Sequence, residues 1–260
     1  MISIVIVNYN SDLHLNKCLE SICNSNLNDI KIEIIIVHNN KSQNKISFKK
    51  NFLFSIKNIY MSKNIGYSKA INIGIKKTSY KTLITMNPDI EVKKNSISDI
   101  FNYFKRNKDI GVIGCKVLNV DHTFQKSSRR RFPSLSIIIP YVLKFHVFGF
   151  INKYNYMDLS KNNIQKVDAV SGCFMMFDRN QYISVGGFDE RFFLYFEDTD
   201  FCYKINKLGL NNIYYPKAEI IHLKNGSRNY INYLFVTINF YLSFLKFILK
   251  YNRIFFKLNN

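Results

Sequence analysis

An α/β fold built on a mostly parallel central sheet is what this chain predicts, and three observations carry the prediction. The runs ISIVIVN at 2–8 and KIEIIIV at 31–37 are nearly unbroken apolar stretches, the pattern of strands buried on both faces. Such runs alternate with segments of helical period through the first half, as βαβ units require. Finally, 47% apolar residues in a chain of 260 are enough to fill one core of ordinary size.

Each element follows in order. After the strand at 2–8, Ser11 or Asp12 can cap a helix whose apolar stripe is Leu15, Cys18, Leu19 and Ile22. The second strand is 31–37, and a short third strand is expected at 58–61. A helix at 68–77 leads to a strand at 82–86. The helix at 95–105 carries Ile97, Ile100, Phe101 and Phe104 on one face and precedes a strand at 110–118. The stretch 121–166 reads as a long excursion, with helix around 135–148. A single strand is expected over 167–177. A helix over 198–208 stops at Gly209 in the C′ position. Short strands at 212–215 and 219–223 complete a domain over 1–229.

Residues 230–260 form an aromatic, basic helical segment. Its uncharged part, 230–245, is shorter than the ~20 apolar residues of a spanning helix. Two readings stay open: an interfacial helix with a basic rim, and a helix packed on the domain.

The five cysteines (Cys18, Cys23, Cys115, Cys173 and Cys202) are odd in number and form no CxxC pair. A disulfide framework is therefore not expected, and a reducing cytoplasm fits. The N-terminus lacks the basic region of a signal peptide. A formal charge of +19 favours anionic partners. No RNA-recognition signature, zinc-finger spacing or basic heptad accompanies it, so nucleic acid is not expected among them.

The densest chemistry lies in GGFDERFFLYFEDTD at 186–200, which sets Asp189, Glu190, Glu197, Asp198 and Asp200 among aromatic rings. Carboxylates beside rings are costly to desolvate unless paired, metal-bound or kept for proton transfer; the plain alternative is a surface acidic turn capping a helix. With Asn87-Pro88-Asp89 after a strand, this motif resembles the inverting family 2 glycosyltransferases, in their rhamnosyltransferase-like branch. The resemblance covers about 2–228. It implies the GT-A fold, a Rossmann-like nucleotide-sugar fold in which ligands bind beyond the carboxyl ends of the strands.

What the resemblance implies for single residues is specific. Asp198 is the expected base, with Glu197 shaping its pocket. Asn8, Tyr9 and Asn10 after the first strand are expected nucleotide contacts. His38 stands where the family usually has Asp; imidazole can accept one hydrogen bond but offers no bidentate carboxylate to a ribose. Asn64, Gly66 and Asn72 match the family's NxGxxxxxNxG element, where a glycine before a helix N-terminus favours a diphosphate. Asn87 is expected to orient the ribose or sugar. Asp89 and His222 are the expected ligands of a divalent cation, Mn²⁺ or Mg²⁺, whose shell the substrate phosphates would share. Gly172 in SGCFM lets a backbone pass near the donor sugar. Arg129, Arg130 and Arg131, with Asp200, are weaker candidates for phosphate or acceptor contact.

The function so implied is transfer of a sugar, rhamnose first, from a dTDP- or UDP-sugar to a hydroxyl of a lipid-linked or surface-polysaccharide acceptor. The expected location is cytoplasmic, with an anionic membrane surface as a further partner. Two rivals remain: a catalytically silent sugar-nucleotide or glycan-binding relative, for which His38 is the argument, and a polyanion-binding protein.

Overall fold

The computed structural model of the chain describes residues 1–40, 54–134, 153–223 and 230–251. Its first half matches the expected order. Strands β1 (Ile2–Asn8), β2 (Ile32–His38), β3 (Ser55–Tyr60) and β4 (Thr82–Met86) are all parallel, in the order β3-β2-β1-β4. Helix α1 (Asp12–Cys23) buries the predicted stripe of Leu15, Cys18, Leu19 and Ile22, and α2 (Tyr67–Ile75) buries Ala70, Ile71 and Ile75. Ser11 occupies the cap position of α1 without capping it, because its hydroxyl donates to Tyr9 O instead.

Beyond β4 the sheet turns mixed. A three-residue strand that the periodicity does not reveal, β5 (Ile90–Val92), is followed by α3 (Ser96–Arg106) and β6 (Ile110–Leu118). The single strand expected over 167–177 is instead divided. Strand β7 (Arg129–Arg130) pairs β9 (Ala169–Val170) in a separate ribbon, and β8 (Gln165–Lys166) joins the main sheet. Strand β10 (Phe174–Asp178) runs antiparallel between β4 and β6. The chain changes sheets at Ser171-Gly172-Cys173, where the Ser-Gly pair separates the two apolar runs.

A short helix, α4 (Arg179–Ser184), precedes α5 (Glu197–Lys207), and Gly209 takes the left-handed φ of +79° expected after it. The two short strands expected next are one, β11 (Asn211–His222), whose register on β6 shifts between Tyr215 and Glu219. Pro216 lies in that shift and has no N–H for the ladder. The helix expected around 135–148 lies outside the described residues.

Apolar side chains alternate between the two faces of the sheet. Ile2, Ile4 and Ile6 pack with α1 and α3, while Val5 and Val7 pack with α2 and α5. A third cluster is aromatic: Phe192 and Phe196 from the 186–200 turn meet Phe247 of the last helix, α6 (Tyr230–Lys250).

Candidate active site

The segment joining β9 to β10 is the hub. Gly172 N–H donates to Asp198 Oδ2 at 2.8 Å, and a Cβ at Gly172 would stand 2.9 Å from that oxygen. Asn87 N–H donates to Cys173 O at 3.0 Å, which ties the hub to the end of β4. The Cys173 thiol is pushed up to about 12, first by burial, against a lowering hydrogen bond from Ser171, and then by the charges of Asp89 and Asp198. Through these two hydrogen bonds Asp198 and the Asn87-Pro88-Asp89 loop are both tied to Gly172-Cys173, beyond the carboxyl end of β4.

Asp198 opens α5 and is surrounded by donors. Its Oδ2 also accepts from Arg130 Nη2 at 2.5 Å, and its Oδ1 accepts from Thr199 N–H at 2.6 Å. Burial opposes the charge on Arg130, but the facing Asp198 more than offsets it and holds the guanidinium above its ordinary range. Neighbouring Glu197 behaves differently. Burial, then the negative charge of Asp198, lifts its carboxyl to about 8, and Oε2 is buried with no hydrogen-bond partner. Glu197 therefore holds its proton more tightly than a free carboxyl does, while Asp198 is fixed by its contact with Arg130. The turn before them is strained: Tyr195 and Phe196 both take left-handed φ, +68° and +64°, which bulky side chains rarely adopt.

Asp89 and His222 meet because β5 pairs antiparallel with the end of β11, placing His222 opposite Ile90. His222 Nε2 lies 3.2 Å from Asp89 Oδ1, and its other nitrogen, Nδ1, faces Gln125 Oε1 at 3.2 Å. Burial works against ionisation of Asp89, yet the hydrogen bond and charge of His222 outweigh it, so the carboxyl sits below its ordinary value. Asp89 and Gln125 thus hold the two nitrogens of the imidazole from opposite sides, and a partner on the far nitrogen is what orients a metal-binding histidine. No group of three His, Cys, Asp or Glu fit to hold a metal exists among the described residues. The pair suits a divalent cation only if other oxygens complete its shell.

The expected nucleotide contacts divide. Tyr9 is half exposed, and Asn10, in left-handed conformation, accepts from Asn40 at 2.8 Å. Both stand open at the end of β1. Asn8 is fully buried and donates to Asp12 Oδ1 at 2.6 Å. His38 stacks on Tyr60 with both nitrogens engaged, Nδ1 facing Asn8 Nδ2 at 3.3 Å and Nε2 facing Asn58 Oδ1 at 2.8 Å. Its imidazole is thus occupied by protein rather than offered to a base.

Asn72 likewise spends all its hydrogen-bonding capacity internally. It donates to Phe188 O and Glu190 Oε1 and accepts from Tyr182 OH and Phe188 N–H. It pins α2 to the 186–200 turn instead of reaching toward a ligand. Asn64 accepts from Asn39 Nδ2 and Gly66 N–H, each at 3.0 Å, shaping its own loop. Gly66 has φ +85°, and a Cβ there would meet Phe193 Cδ2 at 2.8 Å. At this helix N-terminus Tyr67 N–H donates to Phe193 O, and Phe193 is the close neighbour for which a side chain at Gly66 leaves no room.

The weaker candidates are also engaged. Arg129 is fully buried, donating to the carbonyls of Tyr156, Leu159 and Ser160 and to Gln165, with its guanidinium 4.8 Å from the Tyr214 ring. Arg131 makes a two-pronged pair with Asp158 at 2.8 Å. Asp200 is fully buried and bound by Lys250 and Tyr251.

With this geometry in view, comparison decides the family. The model of "Glycosyl transferase family 2" matches residues 3–185, well over half of the chain. The chain belongs to glycosyl transferase family 2. A second model, described as "N-terminal domain of galactosyltransferase", matches 157–226, the part that holds Glu197, Asp198 and His222. Among curated relatives, the rhamnosyltransferase WbbL of Escherichia coli K12 is 26% identical over 85% of this chain and 83% of its own length. The N-acetylglucosaminyl-diphospho-decaprenol L-rhamnosyltransferase of Mycobacterium tuberculosis is 24% identical over 87% and 77%. This is accordingly a rhamnosyltransferase-like member of the family.

Solved structures agree on the fold of the transferase, GT-A-like with a central mixed sheet. S. aureus TarS superimposes with a TM-score of 0.57 at 13% identity, over 85% of this chain and 36% of TarS. GalNAc-T7, solved with UDP, GalNAc and Mn²⁺, gives 0.61 at 15% identity, over 87% and 44%. Three neighbours of the carboxylates escape motif reading. Phe193 caps α2, and Tyr67 buries a hydroxyl that feels Glu197 and Asp198. Gln125 orients His222. Only an aromatic after Gly66 is visible in the sequence, and nothing there tells it from a core residue.

Proposed function

We propose that the transferase moves rhamnose from a dTDP-sugar, or failing that another sugar from a UDP-sugar, to a hydroxyl of a lipid-linked or surface-polysaccharide acceptor, with inversion at the anomeric carbon. The observation that carries this reading is the placement of Asp198 next to Glu197, paired with Arg130 and held by the Gly172 backbone beside the end of β4. Asp198, charged against Arg130, is the base. Its carboxylate takes the acceptor's proton as the acceptor oxygen bonds to the anomeric carbon and the bond from that carbon to the diphosphate breaks. Glu197, whose carboxyl is raised by burial and by its neighbour, lies beside it within the turn that shapes the pocket.

Asp89 and His222 would hold a divalent cation, Mn²⁺ or Mg²⁺, together with oxygens of the donor diphosphate. When bound, such an ion supplies Lewis-acid stabilisation of the leaving diphosphate. Tyr9 and Asn10 are the open side chains for the nucleoside. His38, engaged by Asn8 and Asn58, contributes through the Tyr60 stack it supports. The engaged imidazole also favours a second reading, a relative that binds glycans without transfer.

The exposed face of α6 supports a membrane-facing role. Leu234, Phe235, Ile238, Tyr241, Leu242, Leu245 and Leu249 form one stripe, each 48% exposed or more. Among the described residues no helix is long and apolar enough to cross a membrane. With a net charge of +19, an anionic bilayer on the cytoplasmic side is the matching surface.

A panel of dTDP- and UDP-sugars, each with and without Mn²⁺, tests the reading by thermal shift and then by transfer to a lipid-linked acceptor. Stabilisation by one donor, followed by formation of a product of inverted configuration, is expected. Binding without turnover on any acceptor would favour the silent relative, and no binding at all would sink the donor assignment.

A further inference from the structure

Helix α6 touches the 186–200 turn at every level. Phe196, whose left-handed backbone opens the carboxylate helix, packs against Phe240, Phe244 and Phe247 with ring centres 5.5, 5.6 and 5.7 Å away. Tyr195, the other left-handed residue, meets Phe240 at 5.7 Å. Ser243 Oγ donates to Leu194 O at 2.8 Å, and Lys246 Nζ to Arg191 O at 2.8 Å. Lys250 Nζ bridges Asp189 Oδ2 at 2.7 Å and Asp200 Oδ1 at 2.5 Å, and Tyr251 OH donates to the same Asp200 oxygen at 2.8 Å. Asp200 is wholly buried and lies two residues beyond Asp198 on the first turn of α5.

These contacts share one consequence. Two consecutive bulky residues in the left-handed region persist only where the surroundings over-determine them. Here the surroundings are α6, with an aromatic clasp on the strained residues and an ionic clasp on Asp200 just after the carboxylate pair. No residue of α6 belongs to the motifs that resemble the family, and the sequence places the helix outside the catalytic domain.

We propose that α6 is a working part of the active site: it holds the strained Tyr195–Phe196 turn and, through Lys250 and Asp200, sets the position of Asp198. Lys250 is a positioning residue. It touches no reacting atom, and it acts through Asp200 on the helix turn that carries the base. Displacing a reacting group by about 1 Å costs on the order of a hundredfold in rate, so a small loosening of this turn registers in turnover before it registers in donor binding. The inference rests on the reading of Asp198 as base, and one of its two measurements does not depend on that reading.

The test uses the full chain, with Lys250→Met, Lys250→Arg and Ser243→Ala. Lys250→Met should lower kcat about ten- to a hundredfold with donor KM within about twofold. It should also speed amide hydrogen exchange at 194–202 while the amides of β1 and β4 stay protected. Lys250→Arg should restore both. Ser243→Ala breaks the bond to Leu194 O without leaving a charge unpaired. It decides the matter should Lys250→Met fail to fold, with a smaller fall in kcat and faster exchange over the same residues. Normal kcat with normal exchange in these variants overturns the proposal, and so does a fall in kcat without faster exchange at 194–202. If the wild-type chain transfers no sugar from any donor, the functional reading fails on its own, and the exchange measurement still decides whether α6 holds the turn.

Discussion

Arg130 and Asp198 form an ion pair of 2.5 Å, buried beside the backbone N–H of Gly172. The arginine comes from β7 and the aspartate from the first turn of α5, so the pair fastens the small β7–β9 ribbon to the carboxylate helix. It also fixes the carboxylate proposed above as the base. Asp198→Asn should abolish transfer while donor binding survives, because an amide of equal size cannot take a proton. The loss should be about 10²–10⁴-fold, the usual worth of positioned base catalysis. Steady-state turnover with a donor-binding titration measures it, and near-normal turnover removes Asp198 from the role.

Glu197 makes a prediction about stability. Its carboxyl is raised from an ordinary 4.5 to about 8, by burial first and by Asp198 second. Between those values the folded chain keeps a proton that the unfolded chain has released. The associated stability is therefore fully present below about 4.5 and lost as pH rises through about 8. Glu197→Gln removes this dependence. The melting temperature of the variant relative to wild type should climb steadily from pH 5 to pH 8, as read by thermal denaturation at four pH values. Parallel curves for the two proteins would mean that Glu197 titrates normally.

The Asp89–His222 contact predicts metal dependence. Asp89→Ala should remove activity supported by either Mn²⁺ or Mg²⁺, since no other carboxylate lies in that loop. His222→Ala should weaken Mn²⁺-supported turnover more than Mg²⁺-supported turnover, because Mg²⁺ prefers all-oxygen shells. Activity assays across a metal series, with EDTA as control, settle the point. Full turnover in excess EDTA would refute a metal-assisted reaction.

Much of this architecture was legible in the sequence, and the misses share a cause. β1, β4 and β6 and the buried stripe of α1 follow from local periodicity, which depends on residues a few positions apart. The break at Ser171-Gly172-Cys173 does not, because it is set by which distant strand each half pairs with. The Asn-x-Asp loop, the Glu-Asp turn and His222 were visible as motifs, and the structure brings Asp89 to His222 and Asp198 to Gly172. Asn72 and Arg129 carry internal bonds that the sequence does not foretell, for one reason. Side chains suited to binding a ligand are equally suited to pinning loops, and only the fold reveals that Phe188 and the Tyr156–Ser160 carbonyls had claimed them.

The outward face of α6 gives the last prediction. Its inner face carries Ser243, Phe247 and Lys250 against the 186–200 turn, whereas Leu234, Ile238, Tyr241, Leu242, Leu245 and Leu249 are half exposed or more on the other side. Removing the whole helix would strip the aromatic cluster from the domain, so the face is better tested by substitution on its exposed side. The full-length chain should sediment with anionic liposomes at low salt, and Leu242→Ser with Leu245→Ser should weaken that association while the melting temperature changes little. Each basic side chain near such a surface contributes on the order of 1 kcal/mol. That share is screened at high salt, whereas the apolar share of the stripe is not. Retention should thus fall only in part in 1 M salt for the wild type and almost wholly for the double variant. If the wild-type chain ignores the liposomes at low salt, the stripe serves another purpose and the acceptor need not be lipid-linked. Resistance to alkaline carbonate would instead mean that the protein is held more deeply than an interfacial helix allows.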